Sequence, residues 1–320
     1  MSSFVLTPKG PFSLPLASEV VARFPPLRHQ PRSARAVRIG FILDGDHSSV
    51  AASLREVNGA IHCVATGTTK LDVVRKQVAR IFSLDHDATE YPQIAERDSN
   101  IAPLMASLPG LRPVCFTSPY ESACWAIISQ RITKTQAARI VAELVRAHGE
   151  RVLLEGEPIG VFPRPDRLLD VSSIDGLPTI KVDRLHGIAR AAQDGKLDAG
   201  YLRSLGAERA PQALRFLPGI GPFWASGIYL RACGITDVFP DEPLAVAALG
   251  SLHGLGDSPT ASQLAPILDR YRPFRMWIAF LLRVAVARGI LEGSRFASAG
   301  TDRPQRNRGR SLSVSRDTIE

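Results

Sequence analysis

The spacing of hydrophobic positions changes from strand-like to helical in the first hundred residues of the chain. Apolar residues alternate with polar or small ones over 37–41, and short apolar runs cover 50–57 and 61–64. Asn58-Gly59 separates the two runs, and Asn-Gly in that position predicts a β-hairpin. Over 71–81 apolar residues recur every three to four positions, which predicts a helix. Residues 1–98 are therefore predicted to form a small antiparallel sheet with helices packed on it.

The segment 99–294 has helical spacing throughout and predicts an all-α body with short connections. One expected helix begins at Pro119 or Tyr120, one has Thr179 as its N-cap, and one follows Pro259. The other expected helices cover 135–148, 207–216, 222–233 and 274–288. Residues 295–320 are rich in Ser, Gly and Arg and lack apolar periodicity, which predicts a disordered basic tail. The predicted fold class is α+β, with the sheet domain first and the helical body second.

Composition narrows the possible functions. Of 320 residues, 45% are hydrophobic and the formal net charge is +8. No apolar stretch is long enough to span a membrane. The four cysteines form no Cys-x-x-Cys pair, which argues against a zinc ribbon or an iron–sulfur cluster. The excess of arginine and lysine permits binding to a polyanion.

A glycine-containing turn between two predicted helices indicates which polyanion the chain would bind. Leu217-Pro218-Gly219-Ile220-Gly221 is followed by Pro222, which suits the first turn of a helix. Two glycines allow a tight turn whose backbone N–H groups meet no Cβ, and N–H groups at a helix N-terminus bind phosphate oxygens. The turn predicts contact with a nucleic-acid backbone; the alternative is an ordinary connection between helices.

These residues, followed by Phe239-Pro240-Asp241-Glu242, resemble the helix-hairpin-helix-GPD DNA glycosylases, and the nearest branch is the bacterial 3-methyladenine DNA glycosylase II type. The segments 118–131 and 271–275 resemble the family's wedge helix and the stretch before its last helix, and the N-terminal sheet resembles that branch's extra domain. The resemblance covers most of the chain. It implies a monomer acting on double-stranded DNA with a damaged base, located in the bacterial cytoplasm at the nucleoid.

The resemblance also implies the functional positions. Either Gln130 or Arg131 would fill the gap left by a flipped base, the alternative being a surface pair at a helix end. The expected DNA contacts in and after the turn are Leu217, Gly219, Ile220, Gly221 and Phe223. The expected positions of the base pocket are Trp125, Phe223, Gly227 and Arg283. No metal site or organic cofactor is implied, although a monovalent cation at the hairpin carbonyls is compatible with the family.

Two acids compete for the catalytic position. A carboxylate beside the glycosidic bond would stabilise the positive charge that builds on the sugar. The Pro-Asp-Asp pattern of glycosylase II, aligned on Pro240, points to Glu242, whereas related branches and residue type favour Asp241. Either could instead be a helix N-cap before Pro243. The sequence leaves both open.

The predicted function is that of a monofunctional base-excision repair glycosylase that leaves an abasic site. Members that also cut the backbone have a lysine where this chain has Phe223. Two pocket positions depart from the aromatic cleft of the branch, because they hold Gly227 and Arg283. A guanidinium would disfavour a cationic base and suit a neutral lesion better. It could equally neutralise the catalytic carboxylate, and the alternative is therefore a non-catalytic binder of DNA lesions or structures.

Overall fold

A computed structural model describes residues 1–27, 30 and 36–291. The predicted disordered tail, 295–320, lies outside the described residues. Among the residues described, no helix is long and apolar enough to cross a bilayer.

The N-terminal region contains a four-stranded antiparallel sheet with the strand order β1-β4-β3-β2. Asn58 and Gly59 both have positive φ, 52° and 77°, and they connect β3 to β4, which confirms the predicted hairpin. Two helices, α1 and α2, share a buried apolar cluster with the sheet. The elements are β1 (Ser2–Leu6), α1 (Leu14–Arg23), β2 (Val37–Ile42), β3 (Ser49–Val57), β4 (Ala60–Thr66) and α2 (Leu71–Ile81).

The rest of the described chain is mainly helical, which confirms the predicted fold class. Helices α5, α6, α8, α9 and α10 share one core, and α4, α11, α12 and α13 share another. The helices are α3 (Ile94–Arg97), α4 (Ala102–Ser107), α5 (Pro119–Ile128), α6 (Lys134–His148), α7 (Pro165–Leu169), α8 (Thr179–Gln193), α9 (Ala199–Leu214), α10 (Pro222–Ala232), α11 (Pro243–Leu252), α12 (Ala261–Asp269) and α13 (Arg275–Ala287); short 3-10 turns cover Pro25–Leu27 and Tyr91–Gln93.

The expectation of helix throughout 99–294 is wrong in one place. Strands β5 (Glu150–Leu154) and β6 (Glu157–Val161) form an antiparallel hairpin. Its buried Leu154 and Ile159 pack against Ala51 of β3, so the hairpin covers part of the N-terminal sheet. The alternating burial of apolar residues on these strands stabilises them as a sheet rather than as a helix.

Two further details differ from the sequence-based expectation. Thr179, predicted to cap α8, is its first residue, and Pro178 occupies the N-cap position without a side-chain bond. The helix expected at 207–216 is the second half of α9, which is kinked where Gly206 has φ of 77°.

Buried polar contacts join the sheet to the helical body. The Glu121 carboxylate, at the start of α5, accepts a hydrogen bond from the Ile42 backbone N–H at 2.9 Å. Burial raises the pKa of Glu121 to about 7, and the bond from Ile42 opposes that rise. Every residue of α5 from Pro119 to Ile128 is buried. The helix that ends at the predicted wedge is therefore fixed along its whole length.

Candidate DNA-binding and base-excision site

The predicted phosphate-binding turn lies between α9 and α10. Gly219 has φ of 88°, in the left-handed region, whereas Gly221 is the N-cap of α10 with φ of −85°. Ile220 is buried and anchors the turn, while Gly221, Pro222 and Phe223 are exposed. A Cβ at Gly221 would meet no heavy atom within 4 Å. The first backbone N–H groups of α10 have no partner within their own helix, and the exposed turn leaves them accessible to an anion.

The wedge segment contacts this turn directly. Gln130 Nε2 donates to the Gly219 carbonyl at 2.7 Å. The side chain of Arg131, which has φ of 59°, is exposed. Since the amide of Gln130 is held by the turn, Arg131 is the member of the pair whose side chain faces solvent.

Lys181 of α8 binds the backbone of the same segment, at the C-terminal end of α5. Its ammonium group donates to the Ile128 carbonyl at 2.8 Å and to the Gln130 carbonyl at 2.6 Å. Burial lowers the pKa of Lys181, and the charges of Arg184 and Arg131 lower it further. Lys181, Arg184 and Arg131 are therefore close enough to act on one another electrostatically, and together they create a positive potential near the turn. The Arg184 side chain also lies against Gly219, 2.8 Å from the place a Cβ would take.

The two candidate carboxylates have different environments. Asp241 is exposed. Glu242 is the N-cap residue of α11, but its side chain makes no capping bond. The Glu242 carboxylate instead forms an ion pair with Arg283 of α13, and only 18% of the Glu242 side chain is exposed. The N-terminus of α11 adds a favourable electrostatic interaction with the anion.

One face of α10 lies near this ion pair. Phe223, Gly227 and Arg231 follow one another at four-residue spacing and so share that face. A Cβ at Gly227 would meet nothing within 4 Å, so the space in front of the helix is open there. Burial lowers the pKa of Arg283 to about 10, and the charge of Arg231 contributes, so Arg283 stays protonated at neutral pH. The Arg231 guanidinium lies 5.1 Å from the centre of the Phe280 ring of α13.

Trp125, predicted as a pocket residue, lies in the core of the helical body and is 6% exposed. Its ring offers little surface to a ligand in this conformation. Lys181, Arg231 and Phe280 are not among the positions that the sequence predicts. Arg231 has a detectable signal, because it continues the four-residue spacing of Phe223 and Gly227, whereas the contacts of Lys181 join residues about fifty positions apart and leave no local pattern.

A small cavity between the sheet and the helical body, lined by Asp44, His47 and Asp198 among others, has a volume of about 20 Å³. It is too small for a nucleobase. Among the described residues no group of three His, Cys, Asp or Glu side chains is placed to hold a metal ion. The hairpin carbonyls of Leu217 and Gly219 each already accept a hydrogen bond, from Ile220 N–H and from Gln130. A cation at the hairpin would have to use their remaining lone pairs, and that cation stays a prediction.

Comparison with known proteins finds DNA glycosylases that are similar to this chain in sequence. The DNA-3-methyladenine glycosylase of Bacillus subtilis is 25% identical over 219 residues, 67% of this chain and 72% of the relative. DNA-3-methyladenine glycosylase 2 of Escherichia coli is 28% identical over 237 residues, 72% of this chain and 73% of the relative. No protein-family model matches the chain.

Solved structures agree at the level of the fold. The 3-methyladenine DNA glycosylase of Archaeoglobus fulgidus superposes with a TM-score of 0.73 at 23% identity, covering 88% of this chain and 98% of that one. An 8-oxoguanine glycosylase/lyase of Clostridium acetobutylicum, solved with double-stranded DNA, has a TM-score of 0.58 at 16% identity, covering 80% and 89%. The fold is that of the helix-hairpin-helix DNA glycosylases. Within that class, the curated relatives confirm the predicted resemblance to the 3-methyladenine glycosylase II branch.

Proposed function

We propose that this chain is a monofunctional DNA N-glycosylase of base excision repair, with Glu242 as its catalytic carboxylate. The observation that carries the proposal is the position of Glu242, which lies largely buried at the start of α11 and is paired across to α13. The curated relatives are glycosylases by name, which supports an enzyme over a non-catalytic binder.

DNA binding is assigned to the turn and the wedge together. The phosphate backbone would meet the N–H groups at the start of α10, near the cations Arg131, Lys181 and Arg184. Arg131 would enter the duplex and occupy the gap that the flipped base leaves, because Gln130 is already bonded to the turn. Flipping costs a few kcal/mol, which a wedge side chain offsets by filling the gap.

The chemistry assigned to Glu242 follows from the charge that develops in the reaction. As the bond between C1′ and the base nitrogen lengthens, its electron pair moves to the base and positive charge builds on the sugar. A carboxylate stabilises that charge and accepts a proton from the water that attacks C1′. A glutamate reaches one methylene further than the aspartate of the family pattern, which suits a residue that also meets α13.

The reaction should stop at an abasic site. Strand cleavage by a glycosylase uses an amine that forms a Schiff base with C1′. The chain has Phe223 at the family's lysine position, and the ammonium group of Lys181 is held by two backbone carbonyls. Water is therefore the nucleophile in this proposal.

The test is excision from duplex oligonucleotides that each carry one lesion: 7-methylguanine, hypoxanthine, ethenoadenine or uracil. Strand breaks should appear only after alkali treatment. Glu242→Gln should abolish them, while the matched variant Asp241→Asn, at the exposed neighbour, should keep activity within a few-fold.

Two outcomes would contradict parts of the proposal. If Asp241→Asn abolishes excision and Glu242→Gln does not, the catalytic assignment is wrong. If no lesion is excised while duplex binding is intact, the chain is the non-catalytic binder, and the Glu242–Arg283 pair has neutralised the carboxylate.

A further inference from the structure

We propose that Arg283 determines which base is excised, and that it selects an uncharged 6-oxopurine of the hypoxanthine type over a cationic alkylated base. This inference rests on the proposed function and adds the substrate class. Its basis is the ion pair between the Glu242 carboxylate and the Arg283 guanidinium beside α10, with the largely buried Arg231 guanidinium of α10 as a second positive charge against Phe280 of α13.

The first step concerns the place of Arg283. It lies on α13, in a helix whose residues from Met276 to Leu282 are all buried, and 36% of its own side chain is exposed. An arginine in such a helix needs a partner for its charge, and Glu242 provides one. The open space in front of Gly227 lies on the side of α10 that meets α13, since Arg231, one turn after Gly227, packs on Phe280, one turn before Arg283.

The second step concerns the hydrogen-bonding capacity of Arg283. A guanidinium carries five N–H donors in a rigid planar fork, and Glu242 is paired with it at Nη1. Even a bidentate carboxylate would occupy two of these donors and leave the others for a base. The remaining donors match the O6 and N7 acceptors of a 6-oxopurine, the pair that arginine reads bidentately in the major groove. Arg283 can therefore hold Glu242 and a base at the same time. A base alkylated at N7 has lost one of these acceptors.

The third step concerns the leaving group. An uncharged base departs with the electron pair of the C1′–N bond and becomes an anion until it is protonated, so a fixed cation stabilises its departure. A cationic base departs neutral and gains nothing from that cation. Before the bond breaks, a cationic base in contact with Arg283 is also repelled by it, and the largely buried Arg231 adds a second positive charge at longer range.

Undamaged guanine presents the same O6 and N7 edge. Selection against it would come from the flipping step, because a base in a mismatch or a weakened pair leaves the stack at lower cost than one in an intact G·C pair. Arg283 thus sets the class of base, and the stability of the pair in DNA sets which member of the class is reached.

The experiment measures single-turnover excision of hypoxanthine and of 7-methylguanine by the full chain and by Arg283→Met and Arg283→Lys. The quantity of interest is the ratio of the two rates within each protein, because that ratio is independent of the folded fraction. The wild-type chain should excise hypoxanthine faster. Arg283→Met should lower the hypoxanthine rate about 100-fold, as loss of one charge-stabilising donor does elsewhere, and leave or raise the 7-methylguanine rate. Arg283→Lys keeps the charge but not the fork and should give an intermediate ratio.

The inference is overturned if the wild-type chain prefers 7-methylguanine, or if Arg283→Met lowers both rates equally. In either case excision that depends on Glu242 would leave the proposed function standing. Absence of excision for every base by the wild-type chain would instead remove the proposed function, and this inference with it.

Discussion

Substituting the two glycines of the turn separately distinguishes a phosphate-binding surface from a structural connection. Gly221 has an extended backbone conformation that any residue adopts, and a Cβ there would point into open space. Gly219 has φ of 88°, and a Cβ there would lie 2.8 Å from Arg184 Cδ and 2.9 Å from Ile127 Cδ1. Alanine at Gly221 should therefore be tolerated by the fold, whereas alanine at Gly219 should not.

The expected magnitudes follow from these environments. Gly219→Ala should lower the free energy of unfolding by about 1–2 kcal/mol from the left-handed backbone alone, with a further loss as Arg184 is displaced. Gly221→Ala should lower it by less than about 1 kcal/mol, the usual difference between glycine and alanine at an N-cap. A methyl group at Gly221 would hold a phosphate away from the N–H groups of α10. Loss of one hydrogen bond to a charged group, about 1.5–3 kcal/mol, corresponds to a roughly 10- to 150-fold weaker affinity.

Fluorescence anisotropy with an undamaged and a lesion-bearing duplex, beside denaturant unfolding, provides both quantities. Gly221→Ala should weaken binding to both duplexes by the same factor while the protein stays folded, because phosphate contacts carry no base information. If Gly221→Ala binds both duplexes as the wild type does, the turn is a connection between helices and the assignment of the DNA interface fails.

Two further predictions concern the pocket and the core. Gly227→Ala and the matched control Gly187→Ala both place a Cβ in open space within a helix. Each should stabilise the fold by up to about 1 kcal/mol in thermal unfolding, and only Gly227→Ala should slow excision. Unchanged excision in Gly227→Ala would mean that the face of α10 does not line the pocket. Burial alone would raise the pKa of Asp98, but hydrogen bonds from Tyr271 and His253 hold that pKa below its model-compound value of 3.8. The stability from this carboxylate is therefore present above pH 3.8 and lost as the pH falls through the lower, folded-state pKa. Asp98→Asn should lower the free energy of unfolding by about 1–3 kcal/mol at pH 7, and this difference from the wild type should close below about pH 4. A difference independent of pH would contradict the reasoning.

The parts of the fold that the sequence predicts are those with a strong local pattern. The strands at 37–42, 49–57 and 60–66 have alternating or continuous apolar runs and an Asn-Gly turn between two of them. Strand β1 has a single buried residue, Leu6, so its pattern is too weak to detect. The β5–β6 hairpin alternates only weakly, turns at Glu155-Gly156, and is stabilised by packing on β3, which is distant in sequence.

In the candidate site, too, the features with a local sequence pattern are predictable, and those that depend on residues distant in the chain are not. The sequence predicts the turn at 217–221 because its glycines, prolines and flanking helices are contiguous in the chain. The proposed choice of Glu242 over Asp241 has no local signal in the sequence, because it rests on the ion pair with Arg283, which is 41 residues further along and on another helix. Lys181 could not be found for the same reason, because its partners are backbone carbonyls that have no residue-type signature.

The hydrogen bond from Gln130 to Gly219, together with the two bonds from Lys181, links the turn to the segment that ends in Arg131. In the proposed complex with DNA, these two parts would act together rather than in succession. When the N–H groups of α10 meet a phosphate, Arg131 would be presented at the same moment to a fixed position in the duplex. Each encounter with the backbone would then also test the neighbouring base pair, because a pair weakened by damage opens at lower cost than an intact one.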